Sequence, residues 1–299
     1  MKTIIFLIQF TLLIKASMAQ SIPADSLYLG QVLPGDTPII FKLEVTKGLI
    51  AAERIAITFN NKEIYYGELD SWPPKIQRIK CYKYIDNKWR GPFVAFEGYI
   101  APSLSENDSI IYMQKNINLN NNSISCTFYS LREKTGWTNP KRLLSTDNDT
   151  HYFQKTKQNN FYTASSLPDS SGSNSDLCKL VIHNNDTTIQ SLGPPINSSA
   201  TENDFYIAKD ESYIILCRFS NGSASDLFIS FRNSNGDWTT SIKLGTLINT
   251  PNPNWEACPY VTKDNKYLFF MRGGNDLSSY FIYWVSIDKL IKSLKPSKS

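Results

Sequence analysis

The sequence predicts an all-β propeller of five four-stranded blades, with a six-bladed ring as the alternative. Three observations carry this. A short apolar strand, a polar turn and a second apolar strand recur five times along 299 residues. A third strand of alternating character follows in each copy, and a tryptophan marks a fourth strand in three copies. Taking Glu53, Tyr99, Asp149, Glu202 and Glu256 as unit starts, the intervals are 46, 50, 53 and 54 residues. Short strands separated by Gly, Asn, Asp and Ser at this period are the pattern of propeller blades.

The N-terminus precedes the repeats. Met1-Lys2 is charged, Ile4 to Ile14 is apolar, and Ser17-Met18-Ala19 is a small-x-small cleavage site. Residues 1–19 therefore read as a signal peptide, and the protein as exported, periplasmic or extracellular. The apolar stretch is shorter than the roughly 20 residues that a membrane span needs, and no cysteine follows it that could carry a lipid anchor. The spare segment Leu27 to Leu33 has strand character. It is expected to complete the last blade and close the ring, since an open propeller leaves an unpaired sheet edge.

The first and second strands are clearest in Pro259 to Phe270, Phe205 to Leu216 and Pro102 to Met113; Ile57 to Tyr66 and Tyr152 to Thr163 are looser copies. The third strands begin at Ile79, Ile124, Leu177, Leu227 and Phe281. Trp89, Trp137 and Trp238 mark fourth strands, and Thr187 to Gly193 takes that place in the third unit. The last unit has no fourth strand of its own. Ile287 to Leu294 is the one stretch suited to a short helix, and residues 291–299 form a basic tail after a propeller domain of residues 20–290.

These residues resemble the TolB-like (WD-type) β-propeller repeat, in the form common in secreted proteins of the Bacteroidetes. That repeat opens Pro-x-apolar-Ser-x-Asp-Gly, matched best by Pro259 to Phe270 and Phe205 to Leu216. Its fourth strand is similar to Trp238 through Thr250, and its N-terminal segment to Tyr28 through Pro38. The Asp-Gly turn is replaced by Asp264-Asn265, Asp210-Glu211, Asn107-Asp108 and Gln158-Asn159. The resemblance implies a fold rather than an activity, because propellers host unrelated functions.

Composition removes several functions. There are 31 Lys and Arg against 27 Asp and Glu, with no basic stripe for nucleic acid. No Cys-x-x-Cys pair, nucleophile elbow, zinc motif or phosphate loop is present. Neither a cofactor, a metal nor a catalytic residue is expected. Cys81, Cys126 and Cys178 share one position of the third strand, where other units have Phe228 and Ile282. They read as buried free thiols; a disulfide involving Cys217 or Cys258 stays open. The histidines are only His151 and His183.

The candidate site gathers on one face. Glu53, Asp149, Glu202 and Glu256 stand before first strands, with Glu97 near the corresponding Tyr99. Such a ring of carboxylates could bind a cation or an amino group. The structural alternative is that each serves its blade, for example by pairing with a basic residue of the neighbouring blade, and Arg218 and Arg272, ending second strands on that face, are the obvious partners. Trp72 and Trp255 break the repeat, and exposed indoles near carboxylates suit sugars or cationic groups. The leading reading is a monomeric, non-enzymatic binding propeller for a protein or glycan. The alternative is a glycan-processing hydrolase or lyase using the carboxylates. The two separate on whether carboxylates converge unpaired or are each neutralised by arginine.

Overall fold

The computed structural model describes residues 21–295, apart from 120–121, 145, 147, 168–174, 184–185, 221–223 and 252–253. The expected signal peptide and the end of the basic tail lie outside the described residues.

Strand β1 (Ile39–Ile40) precedes the repeats. The first unit contains β2 (Ile50–Ile57), β3 (Glu63–Leu69), β4 (Gln77–Ile85) and β5 (Lys88–Glu97), paired antiparallel in chain order. The second contains β6 (Ile100–Leu104), β7 (Ile110–Leu119) and β8 (Asn122–Glu133), with β9 (Gly136–Trp137) and β10 (Lys141–Arg142) both on β8. The third contains β11 (His151–Lys155), β12 (Phe161–Ser165), β13 (Asp176–His183) and β14 (Asp186–Ser191). The fourth contains β15 (Phe205–Ile207), β16 (Tyr213–Ser220), β17 (Ala224–Phe231) and β18 (Ile242–Lys243). The last contains β19 (Trp255–Val261), β20 (Tyr267–Gly273) and β21 (Phe281–Ser286), followed by helix α1 (Asp288–Leu294). A single parallel pair, Ser225 with Trp255, joins the fourth and last sets into one sheet. Helix α1 lies where the sequence predicts it.

Burial falls across each set. β2 and β6 are buried along their whole length, whereas β5 is mostly exposed. First strands therefore sit innermost and fourth strands at the rim. The turn between first and second strands carries a left-handed residue in every unit: Asn61, Asp108, Asn159, Glu211 and Asn265, with φ between 56° and 59°. The family's glycine stands at this place. Asn and Asp tolerate the left-handed region better than other side chains, so the turn keeps its geometry without glycine in four copies.

The closing segment differs from expectation. Residues Leu27 to Leu33 do not form a strand. Tyr28, Leu29 and Gly30 have φ of 51°, 61° and 69°, which coil the chain into a short helical turn. The outer strand of the last set is β1, with Ile39 opposite Trp284 and Ile40 opposite Tyr283. Phe41 continues the ladder through its N–H to the Ile282 carbonyl at 2.8 Å. Residues 24–30 instead brace the seam from outside. Tyr28 packs on Trp284 and Tyr267, both at 5.4 Å, and the Trp89 indole donates to the Ser26 carbonyl at 2.7 Å.

All five cysteines are buried and free. Cys81 packs with Leu104, Ile111 and Met113 of the second unit, as its repeat position predicts. Burial pushes the Cys81 and Cys178 thiols up to about 12.

Candidate functional site

The repeat-position acids divide into two groups. Glu202 and Glu256 have fully buried side chains, each held by an arginine of its own unit. Arg218 Nε lies 2.6 Å from Glu202, and Arg272 Nε lies 3.0 Å from Glu256. The arginines also donate to carbonyls of the preceding unit's exit loop, Arg218 to Ile196 at 2.9 Å and Arg272 to Ile248 at 2.7 Å. Desolvation pushes the Glu256 carboxyl upward, and Thr250 and Arg272 oppose the shift. These pairs staple consecutive units together.

In the first unit the buried acid moves to the second strand and its cations to the third. Glu256 faces Arg272 across its strand pair, whereas Ala51 faces Glu68 in the first unit. Glu68, fully buried, takes Arg78 at 2.6 Å and Lys80 at 3.2 Å. In the second unit Lys115 lies 5.1 Å over the Tyr99 ring, so a cation–π contact replaces the ion pair. Asp149 accepts from the Ser125 N–H at 2.8 Å.

Glu53 does not belong with these acids. In β2, β6, β11 and β19 the register slips at a bulge, and Glu53, Ala101, Tyr152 and Cys258 there have φ of 65°, 53°, 56° and 58°. A bulge re-aims a side chain away from the regular alternation. Three of the re-aimed side chains meet. The Tyr152 hydroxyl donates to Glu53, and Cys258 Sγ lies 4.0 Å from the same carboxylate. Asp204, two residues before Tyr206 as Cys258 is two before Tyr260, completes the group. It accepts from the Cys258 N–H at 3.1 Å and meets His151 Nε2 at 3.0 Å. His151 Nδ1 in turn meets Gln114 at 2.7 Å. Residues of all five units thus converge on one point.

This cluster is buried and electrostatically loaded. Glu53 and Asp204 are 4% and 5% exposed. Burial, and then the Asp204 charge, raise the Glu53 carboxyl to about 7. Arg54 beside it is 1% exposed, its guanidinium stacked 4.2 Å over the Tyr152 ring. None of its three side-chain nitrogens has a hydrogen-bond partner. Among the described residues no three His, Cys, Asp or Glu side chains are arranged to hold a metal ion.

Two cavities lie at opposite ends of the first strands. A cleft of about 570 Å³ opens where the first and last units meet. Phe41, Leu43, Val45 and Ile50 line one side, and Leu277, Tyr280 and Phe281 the other. A smaller cavity of about 160 Å³ lies among the turns between first and second strands.

No protein-family model matches the sequence, and no curated protein matches it. Solved structures do share its fold. A complex of BT0996 with RGII is similar with a TM-score of 0.54 and 10% identity, over 84% of this chain and 91% of the other. A glycoside hydrolase is similar with a TM-score of 0.52 and 10% identity, over 86% and 92%. TolB from Acinetobacter baumannii has a TM-score of 0.48 and 15% identity, over 79% of this chain. This chain covers 54% of that TolB, about half its length. The fold is that of a β-propeller.

Within the propeller the remaining candidates scatter. Trp72 is 40% exposed, in a loop tightened by Asp70, whose carboxylate accepts the Lys75 and Ile76 N–H groups at 2.9 Å. Those N–H groups hold the Asp70 carboxyl below its usual range. Trp255 is half-buried, edge-on to Phe219 at 5.7 Å and, at 6.4 Å, to Tyr280, which lines the cleft. Glu97 is exposed, 3.7 Å from Arg78. The four acids expected as one open ring do not form it: Glu202 and Glu256 are sealed by arginine and Glu53 is sealed in the centre. Sequence reading missed Arg54, Tyr152 and Asp204. Their signal, a charged or hydroxylated residue in or just before a first strand, was present but ambiguous between facing in and facing out.

Proposed function

We propose that this chain is an exported, monomeric binding propeller of five blades, residues 20–290, closed by Ile39–Ile40. Its ligand face carries the loops before first strands and after second strands. The observation that carries this reading is the seam cleft. Its walls come from the segment entering the first strand of the first unit and the loop after the second strand of the last. It presents aromatic and aliphatic walls beside the polar loops of that face, a combination suited to an apolar side chain of a protein partner or the apolar face of a sugar ring. On that face Glu202 and Glu256 are each paired with an arginine of their own unit, which supports a structural role for Glu202, Glu256, Arg218 and Arg272.

The test is a glycan array and a partner capture with the mature domain, repeated with Phe281→Ala and Trp72→Ala. Both residues are more than one third exposed, so neither change should unfold the domain, and Phe281→Ala should abolish capture. Unchanged capture by Phe281→Ala would remove the cleft from the site.

One observation favours the second reading, a glycan-processing enzyme. Glu53 and Asp204 converge without an arginine salt bridge, and one of them titrates near neutrality. A carboxyl raised toward neutrality beside a second carboxyl is the kind of arrangement that glycoside hydrolysis uses. Their burial argues against it, since substrate must reach both. Sugar release by the wild type that is lost in Glu53→Gln would establish this reading instead.

A further inference from the structure

The turns opposite the ligand face are short, and their sequence is explained by turn geometry alone. Their side chains do more. Phe59, Glu106, Lys157, Lys209 and Lys263, one from each unit, surround the cavity of about 160 Å³ together with Tyr206. That is about five water volumes at roughly 30 Å³ each, room for a small oxyanion.

Charge matching around this cavity is incomplete at one residue. Lys263 lies 2.7 Å from Asp108, and Lys157 lies 3.2 Å from Glu106. Among the described residues Lys209 has no carboxylate partner. Its ammonium has one protein acceptor, the Lys155 carbonyl at a long 3.3 Å. Burial, then the Lys263 and Arg54 charges, hold the Lys209 ammonium down near 8, against the weaker pull of Glu106 and Asp108. Arg54, fully buried and without a hydrogen-bond partner, lies on the inner side, where its charge adds to that of Lys263 on Lys209. Buried cations are ordinarily paired, so Lys209, lining the cavity without a carboxylate partner among the described residues, is placed to take an anion.

We propose that this axial mouth binds a small oxyanion, a carboxylate, phosphate or sulfate group, with Lys209 as its principal ligand and Lys157 and Lys263 flanking it. A cation is disfavoured by the three ammonium groups, and an apolar ligand would strip water from all of them. The site is independent of the cleft on the other face. Binding draws a proton onto Lys209, so affinity weakens as the pH rises past 8. The charged groups that set this balance are Lys263, Arg54, Lys157, Glu106, Asp108 and Asp210.

The experiment is calorimetric titration of the full mature chain with inorganic phosphate and, separately, acetate, alongside Lys209→Met and Lys209→Arg. Circular dichroism melts of each variant report folding. Saturable binding of either anion by the wild type is expected, weakened at least about tenfold, or about 1.4 kcal/mol, in Lys209→Met and largely retained in Lys209→Arg. Phosphate alone binding points to a phosphorylated or sulfated ligand, and acetate alone to a carboxylate; both support the site. Equal binding by wild type and Lys209→Met, or no uptake of either anion by the folded wild type, would overturn it.

Discussion

Replacing Glu53 by Gln isolates the electrostatic cost of the central cluster. Gln keeps the size of the side chain and an oxygen to accept the Tyr152 hydroxyl, and removes the ionisable proton. The Glu53 carboxyl titrates near 7 in the folded protein against an ordinary 4.5. The folded state therefore holds a proton between these values that the unfolded state has released. Stability falls with pH wherever the native state binds more protons. The loss begins as pH rises past 4.5 and is complete above 7. A shift of this size at 1.36 kcal/mol per pH unit amounts to about 3 kcal/mol. Wild type and Glu53→Gln should be equally stable at pH 4.5. At pH 8 the variant should be more stable by about 3 kcal/mol, a substantial share of the roughly 5–15 kcal/mol that holds a domain together. Urea unfolding at half-unit pH intervals, followed by tryptophan fluorescence, measures the difference directly. Parallel pH profiles for the two proteins would refute the reasoning: Glu53 would then be ionised normally and the cluster would carry no strain.

Three further outcomes follow from the same contacts. Arg272→Met should destabilise by about 3 kcal/mol in denaturant unfolding, because it leaves the buried Glu256 carboxylate without its cation; a loss under about 1 kcal/mol would make the staple dispensable. Thiol labelling of the native protein should be slow at all five cysteines and become fast on denaturation, since each is buried and free; rapid labelling of Cys81 in the native state would contradict its packing. Phe41→Ala should cost about 3–4 kcal/mol, because Phe41 is 1% exposed and packs edge-on against Phe269 and Trp284 at 5.1 and 5.2 Å. Tyr28→Ala would then match or exceed it only if residues 24–30, rather than β1, closed the seam.

Several local features are legible in the sequence. Strand alternation and turn residues depend on neighbours in the chain, so the antiparallel sets, the helix after Ile287 and the buried position shared by Cys81, Cys126 and Cys178 can be read directly. The closing strand is misplaced by the same kind of reading. Leu27 to Leu33 alternates like a strand, and only Gly30 hints at the left-handed run that coils it. Ile39-Ile40-Phe41, β-branched and aromatic immediately after Pro38, carries the better strand signal.

The sequence by itself determined the repeat and the class of fold, because periodicity 2 and tight turns are properties of a few consecutive residues. Tertiary structure alone decided which acids are inert and which are loaded. Glu53 and Glu256 occupy similar places in the repeat, yet Glu256 faces an arginine of its own unit and Glu53 faces Tyr152 and Cys258, 99 and 205 residues away. A single bulge turns the Glu53 side chain inward. What it meets there depends on how the other units fold around the same centre, and no local pattern records that.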